Sequence, residues 1–175
     1  MDVKIVTLPT KTCKTEKPKK NRVVTQTKRW QTHVQTDDFD PIQQCEWLQH
    51  IEDDSEKSKL MKSQIHAKIK GYKSQDVQKA VYDPDKFVSF DGVISKLRRC
   101  DLLCFYCREP CAIWYEQSRY PKQWSLERID NDFGHNDDNV EIACLSCNIK
   151  RRCMYHERFR FTKQMKFVKK DENET

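Results

Sequence analysis

Apolar residues recur along this chain in two rhythms. Over Leu60–Lys70, Met61, Ile65 and Ile69 fall four residues apart, which lays a stripe along one face of an α-helix, and Gly71 sits where such a helix would stop. A second short helix is expected over Ser74–Val81, ended by Asp83-Pro84, and an earlier one around Ile42–Ile51, opened by Pro41 and bounded by acids. After Phe87–Phe90, Asp91 reads as the N-cap of a helix that puts Val93, Ile94 and Leu97 on one face. Beyond Cys104 the rhythm shortens. CAIWYE and WSLERID are rich in aromatic and β-branched residues and read as strands. A polar loop around Gly134 follows, then a short return strand over Asn139–Ala143 and a helix beginning near Cys144. The first 36 residues are Lys/Thr-rich and aperiodic, and read as a disordered arm. The fold class is therefore α+β. Residues 1–56 form an arm plus an acidic segment, residues 57–86 a helical extension, and residues 87–175 a small domain ending in a basic helix.

Charge sharpens this division. Met1–Thr36 carries nine Lys/Arg against two acids, Asp37–Glu56 eight acids and no Lys/Arg, and the remainder 24 basic against 17 acidic residues. A basic arm beside a basic domain points to a polyanionic partner; alternatively, the acidic block folds back on the arm. Eight Phe, six Tyr and four Trp can still build a core in a chain of 34% charged residues. No apolar run reaches transmembrane length, and MDVKIVTLPT lacks a secretory h-region. The expectation is an intracellular protein without a membrane partner, its cysteines held reduced and available to metal.

Those cysteines carry the strongest signal. Cys104-x2-Cys107 and Cys144-x2-Cys147, separated by 36 residues, can close a tetrahedral all-thiolate zinc site. Cys100 and Cys111 flank the first pair, and either could substitute for a member; Cys13, Cys45 and Cys153 read as free thiols. Four cysteines leave no open coordination position, so this zinc would hold the fold and do no chemistry.

The residues inside the frame are Ser125-Leu126-Glu127-Arg128-Ile129-Asp130, Gly134-His135, Asn139 and Cys144-Leu-Ser-Cys147-Asn148, followed by Arg151-Arg152. This pattern resembles the HNH (ββα-metal) endonuclease superfamily. It is most similar to the zinc-framed, endonuclease VII-like branch and to HNH-like proteins of phages and large eukaryotic DNA viruses. The resemblance covers Cys104–Arg152, extends more loosely over Leu60–Asn173, and does not reach the first 55 residues. It implies a metal-dependent endonuclease acting on DNA in the host cytoplasm, the nucleus or the virion. Glu127 and Asn148 fall where the family binds a catalytic Mg2+ or Mn2+, and both offer the hard oxygen donors such ions prefer. Asn139 falls at the central Asn that braces the loop.

Arg128 departs from the pattern, because the family places its water-activating His there, and a guanidinium cannot accept a proton. It can clamp phosphate instead. The base is then His135, Asp130 or the metal itself. Lys150, Arg151, Arg152 and Arg158 supply phosphate contacts, and Tyr155, Phe159, Phe161 and Phe167 pack on the domain or stack on bases. Trp114 and Trp124 belong to the core beside the zinc. Two other readings use the same residues: a protein of this fold that binds DNA or RNA without cleaving it, and a zinc-ribbon adaptor docking through its acidic segment. A symmetric junction cutter would work as a homodimer, although no heptad or apolar seam marks one.

Overall fold

The structure, a computed structural model, describes residues 22–23 and 28–165. It is mixed α and β. Helix α1 spans Lys28–His33, α2 Pro41–Gln49, α3 Glu56–Gln78 and α4 Phe90–Arg99. Strands β1 (Trp124–Arg128) and β2 (Val140–Cys144) form one antiparallel pair, followed by α5 (Leu145–Arg151) and α6 (His156–Gln164). Strand, loop, strand and helix follow in the expected order. Trp124 pairs with Cys144, Leu126 with Ile142 and Glu127 with Glu141. No helix among the described residues is long and apolar enough to cross a membrane.

The two helices expected over Leu60–Lys70 and Ser74–Val81 are one, which ends at Gln78. α3 runs unbroken for 23 residues, with Gly71 in its interior and open space where a Cβ would stand. The apolar stripe explains the continuity: after Leu60, Met61 and Ile65, it goes on through Ile69 and Tyr72 to the fully buried Asp76. Burial of that face outweighs the roughly 1 kcal/mol a helical glycine costs. The left-handed residue Ala80 (φ 56°) then turns the chain, and Val81 N–H donates to Asp76 O. α4 carries Val93, Ile94 and Leu97 inward as expected, but its cap is Ser89, whose hydroxyl accepts from Gly92 N–H at 3.0 Å; Asp91 lies in the first turn.

The helix expected around Ile42–Ile51 is α2, and the last described residues of the expected arm pack on the domain. Trp30 of α1 is buried edge-on against Trp114, and Leu48 and Ile51 are fully buried. Gln44 joins α2 to the segment before β1. Its Oε1 accepts from Ile113 and Trp114 N–H, and its Nε2 donates to the carbonyls of Asp38 and Trp114. A fully satisfied buried amide of this kind fixes one packing arrangement. The acidic segment is neutralised at the start of α3: Asp38, itself buried, binds Lys57 at 2.8 Å, Asp54 and Glu56 bind Lys59, and Glu52 binds Lys62. CAIWYE is not a strand. A single bridge joins Ala112 to Gln123, and the rest of the segment is anchored by Trp114 among Trp30 and Trp47. The remaining arm residues, with Cys13 and Phe167, lie outside the described set.

A thiolate frame and the cleft beside it

The four-cysteine cluster is built by two turns. Arg108, left-handed at φ 60°, donates its N–H to Cys104 O and closes the first knuckle, while Phe105 N–H donates to Ile142 O and ties that knuckle to β2. The second pair straddles the junction of β2 and α5. As a result, Sγ atoms of Cys104, Cys107, Cys144 and Cys147 lie within 4.8 Å of one another, and all four thiols are free of disulfides. Four sulfurs converging this closely suit a structural metal such as zinc. Of the two flanking thiols, Cys100 donates to Leu97 O, and Cys111 is a buried neighbour of Cys104 outside the group of four. Trp124 and Trp114 are buried in the surrounding core.

Next to this frame lies a cleft of about 530 Å3 between α3, β1 and α5. Glu127, Arg128, His135, Asn148, Arg151 and Arg152 line it together with Tyr72 and Gln75 of α3 and Lys79 at its C-cap. Asn139 is not on its wall. Its side chain braces the loop: Nδ2 donates to the carbonyls of Asp130 and Gly134 at 2.9 and 3.0 Å, and Oδ1 accepts from Asp130 N–H. Lys150 and Arg158 are exposed outside the cleft.

Arg151 is not a free phosphate contact. It is buried, and its Nε donates to Glu127 Oε1 while Nη1 reaches Met154 O and Nη2 reaches Arg128 O and Asn131 Oδ1. Tyr106 hydroxyl donates to the same Glu127 oxygen at 3.3 Å. Burial pushes the Glu127 carboxyl up to about 7, against the opposing pull of Arg151, Tyr106 and Arg128. Asn148 is a mid-helix residue of α5 rather than a cap. Its Nδ2 donates to Ser125 Oγ and Leu126 O, which leaves Oδ1 as the amide oxygen available to a ligand. Arg128 spends Nη1 on the loop carbonyls of Asn131 and Phe133, leaving Nε and Nη2 for a phosphate. Among the described residues, Glu127 is the one carboxylate lining the cleft, against Lys79, Arg128, Arg151 and Arg152, so the cleft favours an anion.

Sequence reasoning missed the contribution of α3. Lys68, Tyr72 and Asp76 stand four residues apart on one face and satisfy the side of β1 and its loop that no strand covers. Lys68 Nζ donates to Trp124 O, Tyr72 hydroxyl accepts from Leu126 N–H at 3.0 Å, and Asp76 takes both Nδ1 and the backbone N–H of His135. The i+4 spacing is visible in the sequence, but its partners lie more than fifty residues away. Neither a family model, nor a curated protein, nor a solved structure matches this chain.

Proposed function

We propose that the cleft hydrolyses phosphodiester bonds in DNA, as a metal-dependent endonuclease of the HNH type framed by one structural zinc. The observation that carries this reading is convergence: Glu127, Arg128, His135 and Asn148, chosen from one motif, line a single cation-rich cleft beside the four-cysteine frame. Glu127 Oε2 and Asn148 Oδ1 are the two side-chain oxygens that would hold a Mg2+ or Mn2+ arriving with the phosphate, a sparse donor set that suits an ion keeping several waters. Such an ion, when bound, neutralises charge on the phosphate and lowers the pKa of a coordinated water. The protein's own part is positional. Arg128 and Arg152 draw the phosphate in, and Asn139 keeps the loop rigid around it.

One observation favours a second reading, a protein that binds nucleic acid without cutting it: the Glu127 carboxylate is already compensated by Arg151. A nicking assay on supercoiled plasmid with Mg2+, with Mn2+ and with EDTA separates the two. Metal-dependent nicking supports the nuclease, and tight binding with no nicking under any condition supports the alternative.

A further inference from the structure

Arg128 stands where the resembled family draws its water-activating histidine, yet the cleft does contain an imidazole. His135 reaches it from the loop between the strands, and one carboxylate fixes the residue twice: Asp76 Oδ1 is 2.7 Å from His135 Nδ1, and Asp76 Oδ2 accepts the His135 backbone N–H at 2.6 Å. A carboxylate only accepts, so Nδ1 carries the hydrogen and Nε2 keeps its lone pair. Among the described residues no group binds Nε2. The Tyr72 ring, 4.5 Å away between centroids, packs against the imidazole and limits its rotation. Gly134 belongs to the same device, because a Cβ there would lie 2.5 Å from Val81 O and 2.9 Å from Asp76 Oδ2. Only glycine lets the loop come close enough for Asp76 to hold its neighbour.

We propose that His135 is the proton acceptor of this cleft and Asp76 its positioning residue, a pair assembled from the loop and α3 that takes over from the histidine missing at position 128. The assignment rests on the phosphodiesterase reading. A water oxygen forms a bond to phosphorus as the bond from phosphorus to the leaving sugar oxygen breaks; the water proton passes to Nε2, the leaving oxygen takes a proton from solvent, and His135 later returns its own to solvent. The groups facing the ring are Asp76 and Tyr72 from α3, Lys79 at its C-cap and Arg128 from β1. Burial, above all, and the positive charges of Arg128 and Lys79 favour the neutral ring, while Asp76 opposes them, and the balance lies below the usual imidazole value. The ring is thus in its basic form at neutral pH.

The test is the pH dependence of kcat/KM for plasmid cleavage by the full, zinc-loaded chain with Mg2+, compared among wild type, His135→Ala and Asp76→Asn. His135→Ala is expected to lose about 10²-fold or more, to lose its own share of the acidic limb while keeping that of Glu127, and to regain part of its rate with added imidazole. Asp76→Asn is expected to lower the plateau and move that limb to lower pH, because the carboxylate that raises the ring's pKa is gone. If Asp76→Asn does not fold, His135→Ala decides alone, since it keeps the bond from Asp76 to the main chain. A wild type that cuts, beside a His135→Ala variant with unchanged rate and profile, overturns the assignment, points to Asp130 or the metal itself and leaves the nuclease reading standing. A wild type that cuts nothing with Mg2+ or Mn2+ overturns the nuclease reading and this assignment together.

Discussion

A buried carboxylate and the guanidinium that neutralises it respond to mutation as a unit. Arg151 and Glu127 are both almost fully buried, and Arg151 spends its other donors on Met154, Arg128 and Asn131, binding the end of α5 to β1 and the loop. Arg151→Met removes the partner of a carboxyl that burial already pushes up to about 7, so Glu127 takes up a proton. The carbonyls of Met154 and Arg128 lose their donor, and unsatisfied buried groups of this kind cost about 1–3 kcal/mol each. Urea denaturation should show that loss, and the double variant Arg151→Met with Glu127→Gln should recover little of it, because the protonated carboxyl has no charge to relieve and the carbonyls stay unpaired. Nothing in the KRR run announces this role. Arg151 is flanked by exposed Lys150 and Arg152, and in sequence all three read alike. Burial of the middle one follows from helical rotation: on α5, position 151 lies one turn beyond Cys147 and shares its inward face.

At the scale of elements, α3 joins core and cleft, and the glycines at its middle and at its contact with the loop make opposite predictions. Gly71 lies inside the helix, and a Cβ placed there would meet nothing within 4 Å, so Gly71→Ala should stabilise the protein by about 0.5–1 kcal/mol. Gly134 is where the loop meets α3, and Gly134→Ala must force apart Val81 O and Asp76; overpacking of this sort costs about 1–3 kcal/mol. Thermal denaturation of the two variants measures both, and shifts of the same sign would contradict the account. The apolar half of the α3 stripe was legible because i+4 periodicity needs no knowledge of partners. Its polar half was not, because Lys68, Tyr72 and Asp76 gain meaning only from backbone groups supplied by β1 and the loop. β1 was legible from its aromatic and β-branched residues, and β2 and α5 because the second cysteine pair marks the junction between them. CAIWYE misled because aromatic content mimics strand propensity, whereas Trp114 is held by packing and by Gln44.

For the whole molecule, the charge pattern and the fold divide the N-terminal region at a different point from the one composition suggests. Removing residues 1–21 takes away six Lys and two acids, and should leave folding intact while weakening DNA binding with a shallower dependence on salt. Removing residues 1–56 also deletes Trp30, Gln44, Leu48 and Ile51 from the core and should unfold the protein, since each large buried apolar side chain contributes about 2–5 kcal/mol. Circular dichroism and salt titrations of the two truncations distinguish an arm from an integral element. The thiolate frame sets the other global condition. The purified chain should carry one zinc, and Cys144→Ser should lose it and unfold, because metal-binding energy is folding energy in so small a domain.

The central claim is that this cleft hydrolyses phosphodiester bonds, and cleavage of supercoiled plasmid by wild type, Glu127→Gln, which keeps an acceptor for Arg151, and Asn148→Ala, with DNA binding measured on the same samples, tests it most directly. Wild type should nick with Mg2+ or Mn2+ and stop with EDTA. Both variants should lose cleavage by about 10²-fold or more while retaining most of their affinity, which comes from Lys/Arg contacts to phosphate. Zinc-loaded wild type that binds DNA yet never nicks it, or variants that cut as fast as wild type, would contradict the account.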